Sequence, residues 1–124
     1  MKKKQILIVD DDPDVQRLVK KRLQFHGFQC ACVSFVETAL ESLKKSKPNL
    51  VILDLGLLHA DGTAFLKHAK EWLPEGEETP PIIVLSGHKE QELVDYCLEN
   101  GASGFIIKPI DPHALVSMVH DYVR

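Results

Sequence analysis

Long hydrophobic runs are missing from this chain. No stretch approaches the ~20 apolar residues of a membrane span, and Met1-Lys2-Lys3-Lys4 leads into a short strand-like segment rather than a signal-peptide core. The expectation is a cytoplasmic protein without membrane attachment. Cysteine is scarce and odd in number: Cys30, Cys32 and Cys97 sit inside apolar patterns, which points to reduced, buried thiols rather than disulfides or metal ligands. Excess charge of one sign is also lacking. A formal net charge of −3 offers no pull toward nucleic acid, and no helix-turn-helix or zinc-finger spacing appears. His26, His59, His68, His113 and His120 show no metal-ligand spacing with one another. At 124 residues there is material for one core and no second module, so a single domain spanning 1–124 is expected.

What is present is a set of short branched runs, each ending on a polar residue. Leu50-Val51-Ile52-Leu53 ends on Asp54, Ile6-Leu7-Ile8-Val9 on Asp10-Asp11, Ile82-Ile83-Val84-Leu85 on Ser86, and Phe105-Ile106-Ile107 on Lys108. Runs of this kind read as strands buried on both faces of a parallel sheet. Their carboxyl ends share one edge of an open α/β sheet, so the polar residues should gather around Asp54.

Helical patterns fill the gaps. Asp12-Pro13 is a helix start, the carboxylate accepting an orphan amide and proline taking the first helical position. Val15, Leu18, Val19, Arg22 and Leu23 continue that helix and Gly27 closes it. A second strand is expected over Phe28 to Val33, then Ser34-Phe35-Val36-Glu37 at capping-box spacing before a helix with Ala39, Leu40 and Leu43 inward and lysines outward. Asp61-Gly62 opens a helix carrying Phe65, Leu66, Ala69 and Trp72, and Leu73 to Pro81 reads as a surface loop. A helix over Lys89 to Glu99 ends at Asn100-Gly101. Asp111-Pro112 starts the last one, with Leu115, Met118, Val119 and Tyr122 on its stripe. Five strands alternating with five helices predict a doubly wound parallel sheet with right-handed crossovers.

Three carboxylates, a hydroxyl and an ammonium at one sheet edge define a chemistry. Asp10, Asp11 and Asp54 cannot all stay ionised together in a dry site, and a divalent cation removes the conflict. Hard oxygen donors suit Mg²⁺, which keeps several waters and accepts a phosphate oxygen. Phosphoryl transfer follows, with Asp54 as the nucleophile.

These residues resemble the receiver domain of two-component response regulators over nearly the whole chain: Asp10-Asp11, Asp54, Gly62, Ser86-Gly87, Gly101-Ala102, Phe105 and Lys108-Pro109. The resemblance implies a flavodoxin-like fold of strand order 2-1-3-4-5. It implies that Asp54 takes a phosphoryl group from the phosphohistidine of a sensor histidine kinase or a phosphotransfer protein, and that the chain is a signalling domain rather than an enzyme, promoting only its own phosphotransfer and dephosphorylation. Asp11, Asp54 and the Gly56 carbonyl would bind Mg²⁺, with Asp10 helping through water. Ser86 and Lys108 would meet the phosphoryl oxygens, Ser86 and Phe105 would form the switch, and Lys108-Pro109 would be a cis peptide. An output domain or target protein is the implied partner, with a homodimer through the last two helices and the strand between them as a further expectation.

Taken singly, each residue has an ordinary explanation: an acidic turn at Asp10-Asp11, a helix entry at Ser86-Gly87, a surface lysine at Lys108. Their joint occurrence at successive strand ends sets those explanations aside. Two rivals differ by specific residues. A flavodoxin-type cofactor binder needs a phosphate-holding loop after the first strand, where Asp10-Asp11-Asp12 would repel an anion. A dehalogenase-type phosphatase wants an acid two residues past its nucleophile, where Gly56 stands. A receiver fold used only as a phosphorylation-independent module would have lost an acid, the hydroxyl or the lysine. The chain departs from the family at Leu57-Leu58, where Met-Pro is common, and at His88, an uncommon neighbour of Ser86.

Overall fold

An apolar residue at every position leaves a strand no side that can face water, so it must be covered on both. A computed structural model of the chain describes residues 3–55, 60–73, 75–87 and 90–124, with the side chains of 60–63, 70 and 72 excluded. Gly56, Leu57, Leu58, His59, His88 and Lys89 lie outside the described residues, as do the side chains of Asp61 and Trp72. The elements are β1 (Gln5–Val9), α1 (Pro13–Phe25), β2 (Gln29–Val33), α2 (Val36–Ser46), β3 (Leu50–Asp54), α3 (Ala60–Trp72), β4 (Ile82–Ser86), α4 (Gln91–Glu99), β5 (Gly104–Ile107) and α5 (Pro112–Tyr122). All strand pairs are parallel, as the alternating pattern predicts, and their order is β2-β1-β3-β4-β5, as the resemblance implies.

Strand alternation divides the apolar residues between two layers. Leu7, Val9, Val51, Leu53 and Val84 pack with Leu43 of α2, Phe65 of α3 and Cys97 of α4. Ile6, Ile8, Ile52, Ile83, Leu85 and Ile106 pack with Val19 and Leu23 of α1 and Leu115 and Val119 of α5. β3 and β4 are buried at every residue. Truncating a residue such as Leu53 to alanine would cost about 2–5 kcal/mol through lost transfer energy and the cavity left behind.

The helix ends follow from local chemistry. The Asp12 carboxylate accepts from the Asp14 amide at 2.9 Å and Asp111 from the His113 amide at 2.9 Å, each ahead of a proline in the first turn. α1 ends on Gly27 at φ +90°, with Gly27 N–H donating to the Gln24 carbonyl at 3.0 Å and Phe28 N–H to the Leu23 carbonyl at 3.1 Å. α4 repeats this pair of bonds around Gly101 at φ +108°, from Gly101 to Leu98 and from Ala102 to Cys97. Both ends satisfy carbonyls that the helix leaves open.

Three local expectations are corrected. The Phe28 amide belongs to the end of α1, so β2 begins at Gln29. The capping box at Ser34 does not form: Phe35 is the N-cap of α2 without a side-chain bond, Glu37 is exposed, and the Ser34 hydroxyl lies 3.4 Å from the side-chain amide of Gln16. The helices α3 and α4 begin at Ala60 and Gln91 rather than at Asp61 and Lys89; Glu90, at ψ 131°, is the N-cap of α4 and stands outside the helical conformation. No helix among the described residues is long and apolar enough to cross a membrane. Cys30, Cys32 and Cys97 are free thiols, and burial pushes Cys30 up to about 11.

Candidate functional site

Register brings the polar strand ends together. Val9 of β1 pairs with Leu53 of β3, so Asp10 and Asp54 leave the sheet as neighbours. Ser86 of β4 pairs with Ile107 of β5, so Lys108 emerges beside Ser86, and its amide donates to the Ser86 carbonyl at 2.8 Å. Asp10, Asp54 and Ser86 are the buried polar residues among those described, with Asp54 and Ser86 fully inaccessible. The Lys108 ammonium donates to Asp54 Oδ2 as a salt bridge, and the Lys108-Pro109 peptide is cis.

Asp10 is held firmly and left electrostatically unsatisfied. Its amide donates to the Val33 carbonyl at 3.0 Å and its Oδ1 accepts from the Asp12 amide at 2.9 Å. Its Oδ2 is buried without a hydrogen-bond partner. Burial, then contact with the Asp54 carboxyl, pushes the Asp10 carboxyl up to about 7, against the opposing pull of the Asp12 amide and the Lys108 ammonium. A buried carboxylate oxygen with no donor, next to a second carboxylate, is a donor set that a hard divalent cation fits, Mg²⁺ needing only one or two carboxylates besides its waters.

The remaining expected residues are less closely gathered. Asp11 is exposed, and among the described residues no group of three or more His, Cys, Asp or Glu side chains is assembled to hold a metal. The structure thus joins Asp10, Asp54 and Lys108 and does not draw in Asp11. Phe105 is half-buried, against the layer of α2, α3 and α4. The Gly56 carbonyl lies outside the described residues.

One residue that sequence reasoning passed over stands at the edge of the site. Gln16 of α1 is half-buried, and its side-chain amide donates to the Asp10 carbonyl. A polar residue one turn after an Asp-Pro helix start, on the side carrying Val15 and Val19, was the available signal.

Comparison with known proteins agrees with this geometry. A family model described as the response regulator receiver domain matches residues 6–120. A 14.6 kDa protein of the sodA1 3' region of Leptolyngbya boryana is 32% identical, over 94% of this chain and 88% of that protein. The transcriptional regulatory protein KdpE of Mycobacterium tuberculosis is 30% identical over 96% of this chain, which spans only 50% of KdpE. The crystal structure of a CheY-like response regulator receiver domain from Methanospirillum hungatei superimposes with a TM-score of 0.84 at 28% identity, covering 97% of this chain and 93% of that one.

Proposed function

Because the chain belongs to the response regulator receiver domain family, we propose that it is the phosphoacceptor of a two-component pathway, with Asp54 receiving the phosphoryl group from the phosphohistidine of a sensor kinase or phosphotransfer protein. The observation that carries this reading is the buried Asp54 carboxylate, bonded to Lys108 and adjoining the unsatisfied carboxylate of Asp10. An Asp54 oxygen forms the new O–P bond as the P–N bond of the donor breaks; the imidazole nitrogen keeps that electron pair and acquires a proton.

The surrounding groups divide the work. Lys108 turns from Asp54 Oδ2 to balance charge on one phosphoryl oxygen, and the Ser86 hydroxyl donates to another. Asp10, Asp11, Asp54 and the Gly56 carbonyl are the groups we assign to Mg²⁺, with Asp10 acting through water; the bound cation supplies neutralisation of charge on the phosphoryl oxygens. The same residues promote transfer onto Asp54 and later loss of the group to water. The chain is in this sense a signalling domain, and 1–124 is one receiver module.

Downstream, the departure of Ser86 toward the phosphoryl group lets Phe105 turn inward and alters the face of α4, β5 and α5. Tyr96, Leu98, Ile107 and Tyr122 are exposed on these elements, the apolar content expected where an output domain, a target protein or a second copy is received. We assign the domain to the cytoplasm, since its free thiols suit a reducing compartment. Incubation with MgCl₂ and acetyl phosphate should add one phosphoryl group by intact mass, and Asp54→Asn should abolish the addition. An unchanged wild-type mass, or equal labelling of the variant, overturns the reading.

A further inference from the structure

The end of β1 lacks a rung. Asp10 N–H donates to the Val33 carbonyl at 3.0 Å, and in a continuing parallel ladder the Asp10 carbonyl would accept from the amide two positions further on, at Phe35. β2 stops at Val33, however, and Phe35 is already the N-cap of α2. The donor comes instead from α1: the Gln16 side-chain amide bonds the Asp10 carbonyl, and the same nitrogen lies 3.5 Å from the Val33 carbonyl and 3.4 Å from the Ser34 hydroxyl. Gln16 N–H in turn donates to the Asp12 carbonyl at 3.0 Å, while Asp12 N–H donates to Asp10 Oδ1 at 2.9 Å. Backbone and side chain close a circuit that runs Asp10, Asp12, Gln16 and back to Asp10.

From this geometry we infer that Gln16 is a positioning residue for the acidic cluster, a surrogate strand rung that fixes the Asp10-Asp11 peptide and so the aim of both carboxylates. The inference rests on the phosphoacceptor reading above and adds to it a residue that touches neither metal nor phosphoryl group. Val33 holds the peptide before Asp10 through its N–H and Gln16 holds the peptide after it through its carbonyl, so neither plane can rotate without breaking a bond. Releasing it lets Asp10 and Asp11 sample orientations that a cation must then reselect, which lowers affinity by the competent fraction.

The test measures Mg²⁺ binding and the metal-free protein side by side. Amide shifts of Asp10, Asp11 and Asp12 are followed by NMR in EDTA and then through a MgCl₂ titration, with melting temperature recorded for every variant. Gln16→Ala and Gln16→Met, the second keeping the length but not the N–H donor, should move these amide signals in EDTA and weaken Mg²⁺ binding three- to tenfold. Gln16→Arg, which keeps a donor, should bring affinity back to within about twofold of wild type. Gln24→Ala, an exposed glutamine on the same helix, is the control and should leave affinity unchanged. Unaltered Mg²⁺ affinity in both donorless variants, or failure of Gln16→Arg to restore it, overturns the role of Gln16. A wild-type chain that takes up neither Mg²⁺ nor a phosphoryl group would instead sink the reading of the site.

Discussion

Replacing Asp10 with asparagine should stabilise the metal-free protein above pH 7 and leave it nearly unchanged at pH 4. The Asp10 carboxyl is raised from 3.8 to about 7 in the folded chain, so between those values the native state holds a proton that the unfolded state has released. The stabilisation tied to this proton is complete below about pH 4 and is lost as pH rises through 7. Each unit is worth about 1.4 kcal/mol. The full interval therefore sets a ceiling of about 4 kcal/mol, of which admitted water should leave roughly half. Asparagine keeps an oxygen for the Asp12 amide and sets an N–H donor opposite Asp54, in place of the unpartnered Oδ2. Melts in EDTA should show the variant gaining on the order of 6–10 °C over wild type at pH 8, and almost nothing at pH 4. Mg²⁺ at about a hundred times its Kd should reverse the ranking, since wild type then gains about 2.7 kcal/mol and the neutral amide binds the cation less well. If the variant is destabilised equally at both pH values, the charge of a buried carboxylate is not the cost inferred here.

Other outcomes can be checked with similar economy. Beryllofluoride with Mg²⁺, standing in for the acyl phosphate, should shift NMR signals of β5, α4 and α5, and an unmoved α4 and α5 would refute the switch. His88→Ala should change the dephosphorylation rate by about three- to tenfold, equivalent to roughly 0.7–1.4 kcal/mol of barrier; decay measured at pH 6 and pH 8 should differ between the two forms because imidazole titrates near ~6.5. Gly104→Ala would place a Cβ 2.6 Å from Met118 Sδ and 3.4 Å from a Tyr122 ring carbon, costing about 1–3 kcal/mol by overpacking. Urea unfolding of Gly104→Ala at wild-type stability would show that this corner can yield.

The fold was legible because the strands announce themselves by composition and the site by position: Asp54, Ser86 and Lys108 each end an apolar run, and parallel pairing must then collect them. Asp10 and Asp11 look equivalent in sequence, but the first is still tied to β2 by its amide bond to Val33 and is buried, while the second stands one residue further beyond the end of β1 and is exposed. Ser34 and Glu37 satisfy the spacing of a capping box, a local rule, yet the Ser34 hydroxyl lies within reach of a glutamine eighteen positions earlier. Gln16 was hidden for the same reason. The donor it supplies answers a carbonyl orphaned by the end of a different strand, and no window along the chain contains both facts. Leu18 kept helical periodicity without burial, because Val15, Val19 and Leu23 make the stripe packed against the sheet and Leu18 stands beside it.

The division of the interior by the sheet has a mechanical side. Phe105 and Ile106 are consecutive residues of β5, but the first packs into the layer of α2, α3 and α4 and the second into the layer of α1 and α5. A rotation of the Phe105 ring therefore exchanges volume with one layer only. β3 and β4, buried at every position, stand between that exchange and the other side like a stiff diaphragm. The packing of α1 against the sheet can serve as the fixed chassis of the molecule while the opposite layer and the β5–α5 edge give way. A signal written at Asp54 would then be read as a change of relief at the α4–β5–α5 edge of the plate, with the α1 face keeping its shape in both states.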